Sequence, residues 1–448
     1  MSYRSPKGQA VVLSVLMFAG PSTYNALCML QSMTTCNIVA YGSVVCLGVL
    51  HHWINVTRRL PGVAFQNKTR IDMFLGSILY PVAFALLLRR VLWTDIVGGL
   101  TVSAAAWFFW SSVTTRCFAY SFSRDRRVYT SSLRRGCNLG SLFAAGLMTA
   151  SNWDNKGVSL TDMSWLIVVA VGFFGGLLPN LWLLSPNEAL EGDGVEAPAW
   201  LPPTLLKDIF TPRMGPLYIV CEITVGFLGV RIQAMYSVRS RCFNLTIAAI
   251  LQLIVSSWYS RDIENTVLQV KAQTIRSWAF MAVTTVSCYA LSYGSLSMVP
   301  DCMHLHSVCH WDIFEDLGKG SFNGSGTVAF CALSLCNVVI TQFTEWILPA
   351  SAPDDPNLHQ TRLAVFWLAR SLGCVISWCI VIAGIPPWVS LHVACTLTAI
   401  GLFGSYFALV LVHEAKSNIR IGETDSTTSN EEPSTEPSLV LRDWHSCQ

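Results

Sequence analysis

The fold class of this sequence is decided by the run SWLIVVAVGFFGGLLPNLWLL at residues 164–184, which contains no charged residue. A helix needs about 20 mostly apolar residues to cross the hydrocarbon core of a bilayer, and this run is long enough. The whole chain agrees with it, because 52% of its 448 residues are hydrophobic and only 12% are charged. Soluble domains carry about a quarter charged residues. The composition therefore predicts an all-α membrane protein and excludes a string of soluble domains.

Similar apolar runs recur along the chain, bounded by charges, proline or asparagine, and together they predict twelve transmembrane helices. The segments at 34–53, 136–153 and 243–259 are short or polar, so ten or eleven helices are also compatible with the sequence. The predicted spans are 8–30, 34–53, 71–88, 94–115, 136–153, 164–184, 216–236, 243–259, 277–299, 327–349, 361–385 and 389–413.

The basic residues predict how these helices are oriented, because positively charged short loops stay on the cytosolic side. Of the 29 basic residues, 21 fall on the side of the two termini, 6 fall on the opposite side and 2 lie within spans. Both termini are therefore expected in the cytosol. The first span follows Arg4 and Lys7 but lacks a persuasive small-residue cleavage site, so we interpret it as a retained helix rather than a signal peptide.

Two polar stretches divide the chain. Residues 185–215 carry acidic side chains and a Pro-Pro pair, and they separate six predicted spans in 1–184 from six in 216–413. A central cytosolic linker between equal halves is typical of transporters built from two repeats, although a plain long loop would look the same. The stretch after His413 becomes rich in Ser, Thr, Glu and Pro, so residues 414–448 are expected to form a disordered cytosolic tail.

Charge and motifs exclude several classes of function. The net charge of +2, without a basic stripe outside the apolar segments, excludes nucleic acid as a partner and leaves the lipid bilayer as the expected one. The sequence contains no phosphate-binding loop, no nucleophile elbow and no His-Glu-x-x-His motif. We therefore expect neither an ATP-driven pump nor a hydrolase, and we assign no enzymatic activity and no cofactor.

Four ionisable residues stand out inside the predicted spans, where a charge is expensive and marks either a pathway or an internal pair. They are Glu222, Arg231, Glu345 and Arg370. Counting ~1.5 Å per residue places Glu222, Glu345 and Arg370 roughly 6–14 Å deep on the cytosolic side. We predict that Arg370 pairs with Glu345 or Glu222 in a shared polar site. The alternative is a structural ion pair or a snorkelling side chain without a role in transport.

Two pairs of glycines are spaced at four residues, Gly136 with Gly140 and Gly172 with Gly176. Small residues at this spacing let helix backbones approach each other closely in a bilayer. We therefore predict close contacts of the fifth and sixth spans with neighbouring helices.

The loop before the tenth span concentrates soft and imidazole ligands, at Cys302, His304, His306, Cys309 and His310. The predicted topology puts this loop on the lumenal or exterior side, where cysteines oxidise readily. A disulfide between Cys302 and Cys309 is therefore the first interpretation. Free thiols and a metal site are the alternatives, and we assign no metal.

Asn323 is the Asn-x-Ser/Thr acceptor that the predicted topology places on the lumenal side with clearance from the membrane. The other acceptors, Asn55, Asn67 and Asn244, do not satisfy that topology. We therefore expect glycosylation at Asn323, and sugar on Asn55 or Asn67 would overturn the orientation.

Five short strings carry a resemblance to a known family, since they occur in the right order across the right spans. The last of them is similar to the family pattern Gln-Ser-Ala-Gly-x-x-x-Ser-Trp. The strings are Pro21-Ser-Thr-Tyr24-Asn25-Ala26-Leu27, Phe74-Leu75-Gly76-Ser77-Ile78-Leu79-Tyr80, Trp110 with Tyr120 ten residues on, Arg239-Ser240-Arg241-Cys242-Phe243-Asn244, and Arg370-Ser371-Leu372-Gly373 with Ser377-Trp378. In these strings the chain resembles the Unc-ninety-three-like branch of the major facilitator superfamily.

The resemblance implies a major facilitator fold, in which two six-helix halves rock about a midplane cavity and carry a small molecule across the membrane. Diverged fungal relatives accompany secondary-metabolite gene sets, so efflux of such a product is one expectation. Other relatives regulate channels or escort receptors, so a non-transporting regulator of a partner protein is the alternative. The candidates for the substrate cavity are Tyr24, Asn25, Trp110, Glu222, Glu345 and Arg370.

Several positions depart from the family pattern. The Gln-Gly of the fourth span is Val113-Thr114, the following Pro is Ser121, and the Lys before the Gln-Ser-Ala-Gly string aligns with Trp367. The lost glycine and polar positions imply a changed substrate, stiffer rocking of the halves or a loss of transport.

Overall fold

The computed structural model contains, among the residues that it describes, nine helices that are long and apolar enough to cross a membrane. A shorter apolar stretch lies at Thr34–Leu50. The chain is therefore a polytopic all-α membrane protein, as its composition predicted. The described residues are 3–30, 33–57, 62–89, 91–120, 126–157, 159–184, 188–189, 232–233, 235–264, 270–297, 311–318, 324–350 and 356–428.

We call the helices up to residue 184 the N-terminal half. Its first span consists of α1 (Pro6–Met17), a π-helical turn (Phe18–Ser22) and α2 (Thr23–Leu30), which follow one another without a break. The other helices of this half are α3 (Thr34–Thr57), α4 (Gly62–Leu87), α5 (Leu92–Ala119), α6 (Arg126–Ser151) and α7 (Asp162–Leu177), which ends in a 3-10 turn at Leu178–Trp182.

We call the helices from residue 238 onward the C-terminal half. The predicted seventh span, 216–236, lies almost wholly outside the described residues, as does the predicted linker 185–215. The helices of this half are α8 (Val238–Glu264), α9 (Val270–Ser297), the short α10 (Ile313–Gly318), α11 (Ser325–Ala350), α12 (Pro356–Ile382) and α13 (Pro387–Thr428).

Pro21 accounts for the π-helical turn in the first span. Proline lacks the N–H that would bond to the carbonyl four residues earlier, and its ring crowds that carbonyl. The carbonyl in question belongs to Met17, and it accepts a hydrogen bond of 2.8 Å from the hydroxyl of Ser22 instead. The wider turn therefore relieves the proline while the buried backbone oxygen keeps a donor.

The glycines of α6 allow it to lie against the first span. A methyl group on Gly136 would stand 2.5 Å from Ser14 Cβ, and one on Gly140 would stand 2.6 Å from Phe18 Cα. The second glycine pair, in α7, approaches α4 in the same way. The predicted close contacts of the fifth and sixth spans are thus confirmed.

Two of the segments that were short or polar in the sequence lie within α3 and α8, and the third, 136–153, lies in α6 except for its last two residues. This helix begins ten residues before the predicted span, at Arg126, and therefore includes Arg134. Its arginines lower its mean hydropathy, which explains why an apolar scan sets its start too late.

The final helix, α13, extends past the predicted end of the twelfth span at 413 and runs to Thr428. Once a helix is nucleated, each added residue gains a hydrogen bond, and Glu414, Ala415 and Lys416 all favour helix. The remainder of the predicted tail, 429–448, lies outside the described residues.

Among the described helices, the two halves meet chiefly where α3 packs against α12 and where α6 packs against α8. Smaller contacts join α6 to α11, α5 to α12 and α2 to α8. We call the end of the bundle where α1 begins the proximal end, and the end where α2 stops the distal end. Because successive spans alternate in direction, α6 begins and α11 ends at the proximal end. The sequence predicts that this end faces the cytosol.

Candidate functional site

Arg134 and Glu345 form an ion pair that joins the two halves. Arg134 Nε donates to Glu345 Oε2 at 3.1 Å, and Nη2 pairs with Oε1. The side chains are only 12% and 8% exposed. Counting ~1.5 Å per residue places Arg134 about 12 Å from the start of α6 and Glu345 about 8 Å from the end of α11. The pair is therefore a bidentate, charge-assisted contact inside the proximal part of the bundle.

Trp110 of α5 and Trp367 of α12 stack across the same boundary. Their ring centroids are 4.4 Å apart and their planes are inclined by 34°. The guanidinium carbons of Arg370 and Arg134 lie 5.1 Å and 5.5 Å from the centroid of the Trp367 ring. Cations at this distance from an indole face are attracted by its quadrupole. Trp367 therefore links both arginines to the aromatic pair.

Arg370 reaches from α12 to two polar side chains of α11. Its Nη1 donates to Thr341 Oγ1 at 3.0 Å, and its Nη2 donates to Asn337 Oδ1 at 3.4 Å. Thr341 in turn donates to Asn337 Oδ1 at 3.2 Å. These contacts hold the guanidinium in the boundary between the halves, half-buried beside Trp367.

The ion pair of Glu345 differs from the prediction, which named Arg370 as its partner. Arg134 takes that place, because α6 begins early enough to carry this residue into the bundle instead of leaving it in a loop. Glu222, the other carboxylate proposed for Arg370, lies outside the described residues.

We call Trp110, Arg134, Glu345, Trp367 and Arg370 the inter-half cluster. The sequence named three of these five, Trp110, Glu345 and Arg370, as candidates for a substrate cavity, and the structure brings those three together. The cluster joins one aromatic stack, one ion pair and a second guanidinium. It presents indole faces, guanidinium groups and a carboxylate where the halves meet.

Tyr24 lies outside the inter-half cluster. Its side chain is buried, and its hydroxyl donates to Asn37 Oδ1 of α3 at 2.8 Å. The thiol of Cys28 donates to the same oxygen at 3.1 Å. Asn25, the next residue along the helix, is exposed. Tyr24 therefore ties α2 to α3 within the N-terminal half, and Asn25 points away from that contact.

Sequence reasoning missed Arg134 and Trp367. The spacing between Arg134 and Gly136 offered one signal, because two residues along a helix are separated by about 200° around its axis. If the face of Gly136 contacts the first span, Arg134 must point to the opposite side of α6, where the C-terminal half lies. The sequence distinguished Trp367 only by its alignment with the lysine that precedes the Gln-Ser-Ala-Gly string of the family pattern.

A second polar contact joins the halves nearer the distal end. Thr149 of α6 and Thr246 of α8 share a hydrogen bond of 2.9 Å between their hydroxyl groups. Thr149 lies fifteen residues after Arg134, close to a whole number of helical turns, so both lie on the same face of α6. The face of α6 towards the C-terminal half is therefore polar at both ends.

At the distal end, Asp312 accepts hydrogen bonds from side chains near the start of α8 and from backbone N–H groups of α10. Arg239 donates to it twice, Nη2 to Oδ1 at 2.6 Å and Nε to Oδ2 at 3.1 Å, and Ser237 Oγ donates to Oδ2 at 2.7 Å. The backbone N–H groups of Phe314 and Glu315 donate to Oδ1 at 3.1 Å and 3.3 Å. Asp312 therefore caps α10 and fixes it to the start of α8.

The surroundings of Asp312 keep its carboxylate ionised. Partial burial raises the pKa of Asp312, but the hydrogen bonds from Arg239 and Ser237 lower it by more, so that the pKa lies below its ordinary value. Hydrogen bonding to the charged form is the deciding cause.

Most of the remaining predicted sites lie outside the described residues. Asn323, Cys302 and Cys309 all lie outside the described residues. Asn244 is buried, and it donates to Gln233, which is incompatible with a glycan there. Within the described part of the chain, no group of three or more His, Cys, Asp or Glu side chains could hold a metal ion.

Comparisons with known proteins identify the architecture. No protein-family model matches the sequence, and no curated protein matches it. A bacterial homologue of the iron transporter ferroportin, in an outward-facing state, is similar with a TM-score of 0.55 at 13% identity, covering 92% of this chain and 99% of that chain. The Major Facilitator Superfamily transporter FucP, in its outward conformation, is similar with a TM-score of 0.53 at 11% identity, covering 91% and 99%. Likeness at such identities concerns the fold, and the chain has the fold of the major facilitator superfamily.

Proposed function

We propose that this protein is a secondary transporter that carries a small molecule across a membrane by alternating access. In this mechanism the N-terminal and C-terminal halves rock about the boundary that holds the inter-half cluster. The observation that carries the proposal is the ion pair of Arg134 with Glu345, which joins the halves inside the bundle.

A buried ion pair between the halves adds little to the stability of a rigid membrane bundle. Taking two charges out of water costs several kcal/mol per ion, and apolar packing of the same volume is often as stable or more stable. A boundary that opens to water during part of a transport cycle has the opposite requirement, because its side chains must be hydrated when the halves separate. The side chains of the Arg134–Glu345 pair and of the Thr149–Thr246 hydrogen bond are polar, so water can hydrate them when the halves separate.

The inter-half cluster supplies the groups that would contact cargo. Trp110 and Trp367 are half-buried and offer aromatic faces, and Arg370 offers guanidinium donors beside them. Binding of cargo between these groups would compete with their contacts across the boundary, which couples cargo to the movement of the halves. Tyr24, Asn25 and Glu222 are further proposed contributors to the cavity.

Within this function we place the protein in the Unc-ninety-three-like branch, with efflux of a secondary metabolite as the specific expectation. The five family-like strings support the branch. The excess of basic residues on the side of the termini supports cytosolic termini, and hence a cytosolic proximal end. The same topology puts the proposed Cys302–Cys309 disulfide and the proposed glycan on Asn323 on the lumenal or exterior side.

Comparative metabolite profiling tests the proposal. Cells with the wild-type protein, cells without it and cells with the Arg134→Gln/Glu345→Gln protein are compared for the compounds inside and in the medium. We expect at least one compound to be depleted inside and enriched outside only with the wild-type protein. If no compound is redistributed while the protein is present in its membrane, the transport proposal fails and a regulator or escort of a partner protein takes its place.

A further inference from the structure

We propose that the distal end is closed by a latch between the halves, and that this latch opens and closes during the transport cycle. The latch consists of Trp153 and residues 155–157 of the N-terminal half, the start of α8 at Val238 and Arg239, and residues 312–315 of the C-terminal half. Its role in the cycle rests on the proposed function, whereas its contacts stand independently of transport.

Main-chain hydrogen bonds form the centre of the latch. The N–H of Val238 donates to the carbonyl of Gly157 at 2.9 Å, and the N–H of Arg239 donates to the carbonyl of Asn155 at 3.2 Å. Both donors belong to the first turn of α8, where backbone N–H groups have no acceptor within the helix. The loop of the N-terminal half therefore caps a helix of the C-terminal half. Water can replace those carbonyls when the halves separate.

Side chains on both flanks of this centre complete the latch. Lys156 pairs with Glu315, and the two side chains are 61% and 43% exposed. The rings of Trp153 and Phe314 lie with their centroids 4.9 Å apart. An exposed ion pair contributes little to stability. These contacts therefore suit a junction that breaks and forms again.

The C-terminal side of the latch is built as one rigid unit. Arg239 is fixed to Asp312 by two hydrogen bonds, and its guanidinium carbon lies 5.0 Å from the centroid of the Phe314 ring. The backbone of Trp311 donates to Met235 at 2.9 Å and accepts from Ser237 at 2.8 Å. The start of α8 and α10 therefore move together, so opening of the latch breaks its contacts with Trp153 and residues 155–157 and leaves this unit intact.

One more contact between the halves lies beside the latch. Arg241 Nη1 donates to the carbonyl of Leu30, the last residue of α2, at 3.3 Å. Since the Arg134–Glu345 pair joins the halves nearer the proximal end, the described residues connect the halves at both ends. A transporter that works by alternating access must release one of these connections at a time.

Hydrogen exchange at the amide of Arg239 tests the latch directly, because that N–H is bonded to the other half. The measurement uses the full-length protein in lipid nanodiscs. We expect Lys156→Glu to accelerate exchange about two- to fivefold, as the loss of an exposed pair implies. The swap Lys156→Glu/Glu315→Lys is expected to restore the wild-type rate. Asp154→Asn, an exposed charge change in the same loop, is the matched control and is expected to leave exchange unchanged.

Val238→Pro provides a second test that leaves the charges intact. Proline is tolerated in the first position of a helix, so this variant removes one latch donor while α8 is retained. We expect exchange at Arg239 to rise about two- to tenfold, the effect of one lost hydrogen bond. Unchanged exchange in both Lys156→Glu and Val238→Pro would overturn the latch, whatever the cargo assay shows. Faster exchange without any redistributed compound in the wild-type cells would instead refute transport and leave the latch as a tie between the halves.

Discussion

Arg134 and Glu345 carry opposite charges on helices of different halves, and burial decides what their removal does. Each side chain is about nine-tenths buried. Truncating one partner leaves the other charge without compensation in a medium of low dielectric, whereas replacing both partners with neutral groups is often close to neutral for stability. The pair therefore defines the closed geometry of the proximal boundary more than it adds to the stability of the fold.

The single variants Arg134→Gln and Glu345→Gln are expected to lower the free energy of unfolding by about 3–5 kcal/mol each, and the double variant by much less than the sum. Chemical unfolding of the purified protein in detergent measures this cycle. Lys156→Gln, which breaks an exposed pair, serves for comparison and is expected to cost at most about 1 kcal/mol. Additive losses in the double variant would contradict the interpretation of Arg134 and Glu345 as a coupled pair.

Among individual residues, the sequence identifies those that are unusual for their surroundings. Glu345 and Arg370 are conspicuous because charges inside apolar spans are rare. Arg134 is not conspicuous, since its depth depends on where α6 begins, and tertiary packing sets that boundary. The partner of a buried charge on another helix follows from the arrangement of the helices, which spacing along the chain does not contain.

Among the helices, α6 serves as the contact element between the first span and the C-terminal half. Its glycine face lies against the first span, and its opposite face carries Arg134 and Thr149 towards α8 and α11. A helix with protein on several sides can be less apolar than one that faces lipid. This is why α6 was a weak span by hydropathy and yet lies at the centre of the site.

Gly136→Ala is expected to destabilise the protein by about 1–3 kcal/mol, because the added methyl group would overlap Ser14, including its backbone. Gly146→Ala in the same helix is the matched control, since nothing lies within 4 Å of the added carbon. We expect it to be neutral or slightly stabilising through helix propensity. The apparent melting temperatures of the Gly136→Ala and Gly146→Ala proteins in detergent measure this difference in stability. Equal values would refute the close approach of α6 to α1.

The cap that Asp312 provides to α10 is expected to be insensitive to mild acid. Because the pKa of Asp312 is lowered in the folded state, its contribution is present above the ordinary aspartate value of about 3.9 and is lost as the pH falls through the lowered one. Hydrogen exchange at Phe314 and Glu315, corrected for intrinsic rates, should therefore agree between about pH 7 and about pH 5. Asp312→Asn should accelerate exchange at both pH values, and a marked rise for the wild-type protein at the lower pH would contradict this account.

Most of the spans could be predicted from the sequence, because hydrophobic length is a strong constraint in a bilayer. Element ends were harder to predict. The early start of α6 and the helical residues 414–428 depend on packing and on helix propagation, which a hydropathy window does not register.

For the molecule as a whole, the orientation in the membrane follows from the uneven distribution of lysine and arginine. We expect a glycosidase to shift the electrophoretic mobility of the wild-type protein, and we expect Asn323→Gln to abolish the shift, since Asn323 is the acceptor on the predicted lumenal side. Asn67→Gln is the matched control and should leave the shift intact. A shift that depends on Asn55 or Asn67 would reverse the topology and exchange the sides assigned to the proximal and distal ends.

Rocking of the two halves about the inter-half cluster changes the distances across the two ends of the bundle in opposite directions, and paired spin labels measure those distances. One pair, at Arg126 and Ala350, spans the proximal end, and the other, at Asp154 and Ser297, spans the distal end. We expect two distance populations for each pair, and we expect Glu345→Gln to increase the long-distance population at the proximal end and the short-distance population at the distal end. A single, unchanged distance for both pairs in the wild-type and Glu345→Gln proteins would contradict alternating access.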